Sequence, residues 1–246
     1  MKPTMQSILV WDLPTRLCHW LLMTGCFSAF ALAVTATEQS KAFEIHMLLG
    51  MILAPLLVFR LFWGIWGTKY VRFREFMYSP REAVAYVVSV TTGKAAHYVG
   101  HNPAASYAIF AMLALLICSV VSGSLVSTGE FFEELHEVAS FLLIGVVGAH
   151  MLGVLVHTIV HKENIVASMF HGKKSTSEED GIPSSHRLAA LALLAATALW
   201  ATMIITSYDG VTKKINLPLG VSVQLGDNKP RDNGQDEQED GEDGDD

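Results

Sequence analysis

The sequence predicts an all-α membrane protein, a four-helix transmembrane bundle followed by a fifth C-terminal transmembrane helix and a disordered acidic tail. Three observations carry this. Five apolar runs are each long enough to cross a bilayer, whose hydrocarbon core of about 30 Å takes about 20 residues of helix. The stretches between them leave no room for a soluble domain of ordinary size. Residues Asp227 to Asp246 hold ten acids against Lys229 and Arg231, the rest being Asn, Gln, Gly and Pro, a composition with too little apolar area to fold.

Taken in order, the first run spans Leu17 to Ala36. Arg16 before it and Ala31-Leu32-Ala33 within it have the look of a secretory signal, but the polar lead and the embedded His19-Trp20 pair argue for a retained span. The second run is Phe43 to Trp66. After it, Ser79-Pro80-Arg81-Glu82 has the polar cap, first-turn proline and early acid of a helix start, and Ala83, Tyr86, Val87 and Val90 follow at helical spacing. A short helix on the membrane surface is therefore expected, ending near Gly93. Gly100-His101-Asn102-Pro103 reads as the turn that launches the third span, Ala105 to Val126. Leu135 to Val160 and Leu188 to Ser207 complete the set. The expected divisions are a bundle over 1–174, a cytoplasmic linker over 175–186, the fifth helix over 187–207 and a periplasmic, largely disordered tail over 208–246.

Lys and Arg set the orientation, because they concentrate in short cytoplasmic loops. Lys2 and Arg16, then Lys69, Arg72, Arg74, Arg81 and Lys94, then Lys162, Lys173, Lys174 and Arg187 all fall on one side. The opposite connections carry Glu38, Glu44, Glu130, Glu133 and Glu134 against Lys41 alone. In a bacterial inner membrane this puts the N-terminus in the cytoplasm and the tail in the periplasm. The formal charge of -7 comes from the C-terminal end, and no nucleic-acid partner is expected. Cys18, Cys26 and Cys118 lie in apolar runs with no Cys-x-x-Cys or Cys-x-x-Cys-His pattern, so they read as packing residues.

His19, His46, His136, His150 and His157 lie inside the apolar runs, where an ionisable side chain is costly and usually retained for a site. Depth follows from a rise of about 1.5 Å per residue. Counted from Glu44 and Glu134 at the outer interface, His46 and His136 are level, each about 3 Å in. His150 lies about 24 Å below Glu134, which matches the depth of His19 just inside Arg16. His136 and His150 also share a face of the fourth helix, within about 40° and about 21 Å apart. Paired imidazoles from facing helices suit an iron whose two axial positions come from protein, and bundle cores are where such cofactors sit. Two haems are thus expected, an outer one on His46 and His136 and an inner one on His19 and His150. Two pairs so far apart do not form one coordination sphere for a transported metal ion.

His157 lies on the same face near the inner rim, able to replace His150, to line a quinone pocket or to face lipid headgroups. The second role is favoured. Arg16 and Arg60 suit haem propionates, since a guanidinium matches a carboxylate in a fork of hydrogen bonds; snorkelling to phospholipid is the alternative.

In combination, the segment Val10-Trp11-Asp12-Leu13-Pro14-Thr15-Arg16-Leu17-Cys18-His19-Trp20, then Arg60-Leu61-Phe62-Trp63-Gly64 with Gly67-Thr68, Gly100-His101-Asn102-Pro103, Leu135-His136-Glu137, and His150 with His157 through His161-Lys162-Glu163-Asn164 resemble the prokaryotic cytochrome b561 family. That family includes the b-type cytochrome subunits of nickel-iron hydrogenases. The resemblance covers residues 5 to 174. It implies a four-helix core with two non-covalent b haems, held by His19, His46, His136 and His150, that exchanges electrons between the quinone pool and a partner; a periplasmic redox protein such as a c-type cytochrome, for which the acidic tail could fish, is the expected partner. Leu188 to Asp246 lie outside it. Related readings are a superoxide:quinone oxidoreductase and the membrane subunit of a hydrogenase-like complex. The acidic outer connections disfavour the former, because steering an anion needs a positive mouth.

Overall fold

The computed structural model describes residues 6–176 and 180–225. Among them, five helices are long and apolar enough to cross a membrane. Strand β1 (Gln6–Leu9) leads into α1 (Leu13–Thr35). The helix begins four residues before the apolar run, because the Asp12 side chain accepts from the Thr15 backbone N–H and Pro14 suits the first turn. Helix α2 (Lys41–Trp66) starts in the same manner at Ser40, whose hydroxyl oxygen accepts from Phe43. The surface helix α3 (Pro80–Thr91) forms as expected, closed by a reciprocal capping box between Ser79 and Glu82. Asn102 caps α4 (Pro103–Leu125), and a 3₁₀ turn at Val126–Thr128 extends it. Helix α5 (Glu130–His161) is 32 residues long, about 48 Å at the helical rise, so its ends project beyond the bilayer core.

A short helix α6 (Ile165–His171) follows, ended by Gly172 in the left-handed conformation at φ 82°. Strand β2 (Lys173–Thr176) then returns to pair antiparallel with β1, Gln6 opposite Thr176 and Leu9 opposite Lys173. Within the stretch expected to be a cytoplasmic linker, the described residues from Asp180 on pack against the bundle. Ile182 is buried and its N–H donates to the Leu9 carbonyl at 2.8 Å, while Tyr70 donates to the Asp180 carbonyl at 2.7 Å.

In the bundle, α1 packs on α2 and α4 on α5, with α2 joining the two pairs. Leu57, Leu116 and Leu143 form the centre, and Cys18 packs with Leu53 and Leu56 as a small apolar residue. Val58, Phe62, Leu152, Leu155 and Leu199 face outward, as lipid-covered side chains do. Helix α7 (Arg187–Ser207) lies against α1 and α2. Pro55 inside α2 has no N–H for the Met51 carbonyl, and Trp200 Nε1 of α7 donates to that oxygen at 2.9 Å. A neighbouring helix thus satisfies a backbone group that proline frees.

The expected disordered tail over 208–246 needs correction in its first part. Strands β3 (Tyr208–Asp209), β4 (Lys214–Asn216) and β5 (Ser222–Gln224) form an antiparallel sheet in that order. Alternation in β4 sends Ile215 into a buried cluster with Ile204 and Leu225, against Met47, Leu48 and Met51 of α2. That apolar area is what makes the segment fold. The acidic stretch Asp227 to Asp246 lies outside the described residues.

Candidate functional site

At the acidic end of the bundle, His46 of α2 and His136 of α5 face each other with ring centroids 5.9 Å apart and planes at 78°. The His46 Nδ1 is 2.8 Å from the Ala29 carbonyl of α1, and the His136 Nδ1 is 2.8 Å from the Ser119 carbonyl of α4. A carbonyl only accepts, so each Nδ1 carries the proton and each Nε2 keeps a lone pair. This is the arrangement in which a ligating histidine is oriented by its other nitrogen. Two metal–imidazole bonds of about 2.0 Å, plus the distance from each nitrogen to its ring centre, separate in-line rings by on the order of 6 Å. The observed spacing fits one iron between two axial ligands.

Close approach at His136 depends on a residue that the sequence reading passed over. A Cβ built at Gly123 would lie 2.8 Å from His136 Nδ1 and 2.9 Å from its Cε1. The signal was the run of small residues Ser119, Ser122 and Gly123 within an otherwise bulky span, which lets helices come together. Ser140 adds a hydroxyl bond to Ser119 at 3.2 Å.

At the basic end, His19 of α1 and His150 of α5 lie within electrostatic range of each other and of Arg60 on α2. His101, in the turn before α4, faces the same group. Its ring sits between Trp11 and Phe76, at centroid distances of 4.9 and 4.5 Å. Burial and the facing Arg60, Lys174, His150 and His19 push its pKa down to about 3. It is therefore neutral in ordinary buffers.

The two arginines have unsatisfied groups here. Arg16 donates through Nη1 to the Phe170 carbonyl, while its buried Nε has no partner. Arg60 lies over the Phe73 ring at 4.9 Å, and its buried Nη1 has no partner. Buried guanidinium N–H groups without acceptors are costly, and an anionic carboxylate is the acceptor that matches them. The residues present thus fit a cofactor that carries carboxylates. Asp12 is a second residue that the sequence reading missed. It is fully buried and also accepts from Thr68 Oγ1 at 2.6 Å and Trp63 Nε1 at 3.1 Å, binding the start of α1 to the end of α2 beside Arg60. Its signal was the cap position before Leu13-Pro14.

His157 takes a different place. It is buried and bonds to Glu163 at 3.2 Å, in a group with His97, His161 and Lys174. Among the described residues no three His, Cys, Asp or Glu side chains are grouped to hold a metal ion by themselves. Each histidine pair offers at most two nitrogens, fewer than a metal ion held by side chains alone needs.

The family described as prokaryotic cytochrome b561 matches residues 10–172, the stretch that holds all four paired histidines. Among curated relatives, a probable Ni/Fe-hydrogenase B-type cytochrome subunit of Rhizobium leguminosarum bv. viciae is 25% identical over 217 residues, covering 69% of this chain and 89% of the relative. A protein of the same description from Bradyrhizobium diazoefficiens is 23% identical over 214 residues, covering 68% of this chain and 86% of its own length. No solved structure matches.

Proposed function

This chain belongs to the prokaryotic cytochrome b561 family of multi-pass membrane b-type cytochromes, and from that premise we propose that it carries two b haems and passes electrons across a bacterial inner membrane. The single observation that supports this most is the His46–His136 pair, whose ring centroids lie 5.9 Å apart and whose Nδ1 atoms are each engaged by a backbone carbonyl, leaving Nε2 for a ligand bond. Each haem supplies a one-electron couple. The chain's own residues do the rest. Carbonyls of Ala29 and Ser119 hold the outer ligands in one tautomer. His19 and His150 serve the inner haem, and Arg16 and Arg60 neutralise its carboxylates. Held by two histidines each, such groups would supply one-electron transfer and leave no open site for small-molecule chemistry.

In this reading His19 and His150 would hold the group that exchanges electrons with quinone near the basic, cytoplasmic rim, and His46 and His136 the one that faces a periplasmic redox protein such as a c-type cytochrome. His157 lines the quinone side. The Lys and Arg bias supports this orientation. The relatives' descriptions support a closely related assignment, in which the same electron path serves a hydrogenase-like complex. A reduced-minus-oxidised spectrum with a haem count per chain tests the proposal. Two haems, both removed by acidic acetone, are expected. One haem, or haem that stays on the chain, overturns it.

A further inference from the structure

Five ionisable side chains meet at the basic rim, apart from the four paired histidines: three from the end of α5 and the residues just past it, one from the loop after α3 and one from β2. Glu163, just past α5, receives His97 Nε2 at 3.1 Å and His157 Nε2 at 3.2 Å on the same oxygen, Oε2. The Lys174 ammonium of β2 lies 3.6 Å from that oxygen. His161 packs on His157 and His97, with ring centroids at 4.5 and 5.7 Å. Burial acting alone would raise the Glu163 pKa. The hydrogen bond from His157, the Lys174 charge and His97 outweigh it and hold the pKa at about 2, so the carboxylate is ionised at any physiological pH.

Three buried atoms of this group have no partner: His157 Nδ1, His161 Nε2 and Glu163 Oε1. Because an ionised carboxylate only accepts, His157 donates through Nε2, and in the neutral ring its Nδ1 is then a bare lone pair that can take up a proton. Glu163 Oε1 is an acceptor as well. Buried acceptors without donors are costly, and what this group is short of is protons. Exposure falls along it, from 39% for the His97 side chain through 18% for Glu163 to 6% for His157. One end touches water and the other lies within α5, seven residues past His150, about 10.5 Å along the helix. A metal ion fits less well, since the side chains are not grouped to hold one and the Lys174 ammonium already lies against the carboxylate.

We propose that His97, Glu163, His157 and His161 form a proton relay between cytoplasmic water and a quinone at the inner end of the bundle. This rests on the quinone reading above. For each quinone reduced to quinol, the relay delivers two protons, matching the two electrons that a bound haem would supply one at a time. Two imidazolium N–H bonds break, two O–H bonds form on the quinone oxygens, and the imidazoles are recharged from water at His97. Quinol oxidation runs the same steps in reverse, releasing two protons to water.

The test uses the full-length haem-loaded protein in liposomes, with Glu163→Gln and His97→Gln. Reduction of the haems by a short-chain quinol should slow by about 10-fold or more in both variants, within the usual contribution of a positioned acid or base. It should also gain a solvent deuterium isotope effect. Reduction by hexaammineruthenium(II), which brings an electron and no proton, should keep its rate, and haem content should not change. Added imidazole should restore the rate of His97→Gln. If quinol reduces both variants at the unmodified rate, the relay is overturned and the quinone reading stands. Equal slowing with the ruthenium reductant assigns the cluster a structural role and also overturns the relay. Failure of quinol to reduce even the unmodified protein overturns the quinone reading, and the relay with it. Should Glu163→Gln lose haem, His97→Gln at the exposed end decides alone.

Discussion

Replacing Gly123 by alanine is a direct test of the outer histidine pair. The added Cβ would stand 2.8 Å from His136 Nδ1 and 2.9 Å from Cε1. Ordinary contact begins near 3.4 Å, so the ring must retreat by about 0.6 Å. It has nowhere neutral to go, because the same Nδ1 is held at 2.8 Å by the Ser119 carbonyl, one turn earlier on the helix that carries residue 123. The retreat stretches that bond to about 3.4 Å, beyond hydrogen-bond range. The net loss is about 0.5 to 1.5 kcal/mol for the bond itself. Loss of the group that orients a ligating histidine typically weakens metal binding by about 10- to 100-fold.

Gly123→Ala should therefore bind its outer haem about 10-fold more weakly and change its spectrum, while the inner haem is untouched. The assay is haem content per chain after purification, with a redox-resolved difference spectrum to separate the two centres. A full complement of haem with an unchanged outer spectrum and potential would refute the reasoning, because the Gly123 to His136 contact would then not constrain a ligand.

Among the remaining predictions, His136→Ala should remove or convert the outer haem and leave the inner spectrum, His150→Ala should do the reverse, and His157→Ala should keep both. Loss of the inner haem in His157→Ala, with retention in His150→Ala, would move the ligand on α5 by two turns. Ile215→Ala should cost about 2 to 5 kcal/mol of local stability, as for other fully buried apolar side chains, and open residues 208–225 to limited proteolysis while the bundle stays intact. Glu163 has its pKa lowered from 4.5 to about 2, so its stabilising contribution is complete above about pH 4.5 and is lost as pH falls toward 2. Fluorescence of Trp11 and Trp20, which donate to Ser168 and to the Met169 carbonyl of α6, should report that loss, and Glu163→Gln should abolish the dependence in this window. Deleting Asp227 to Asp246 should leave both haems and, if the tail steers a basic periplasmic protein, should slow electron exchange at low salt with convergence at high salt; equal rates across the salt series would leave the tail a solvated end.

What could be read from the chain was whatever a single helix encodes in its own periodicity. The five spans follow from apolar length, and the His136 to His150 spacing follows from rise and turn angle, since both residues belong to α5. Helix starts moved outward by a few residues because caps, and not the first apolar residue, define them: Asp12, Ser40 and Asn102 each hold a first-turn N–H. Contacts between distant segments left almost no local trace. Strands β1 and β2 pair Gln6 with Thr176 across the whole bundle, and neither stretch alternates apolar and polar residues clearly enough to show a strand. The Glu163 cluster has the same origin, because His97 and Lys174 reach it from a loop and from β2.

The segment beyond the family match shows where such long-range contacts matter most. Helix α7 could have been a detached anchor, but Pro55 leaves a carbonyl open on α2 and Trp200 closes it, a pairing visible only when both helices are in place. The sheet that follows packs Ile215 against Met47 and Leu48, the two residues next in sequence to His46, and β5 receives a hydrogen bond at the Gln224 carbonyl from Ser127 at the end of α4. The added residues therefore grip the His46 end of α2 and tie it to the helix whose Ser119 carbonyl orients His136. A ligand pair is only as well placed as the helices that carry it, since geometry at a metal is held from outside the first ring of contacts. Here that outside support comes from the part of the chain that the family does not cover.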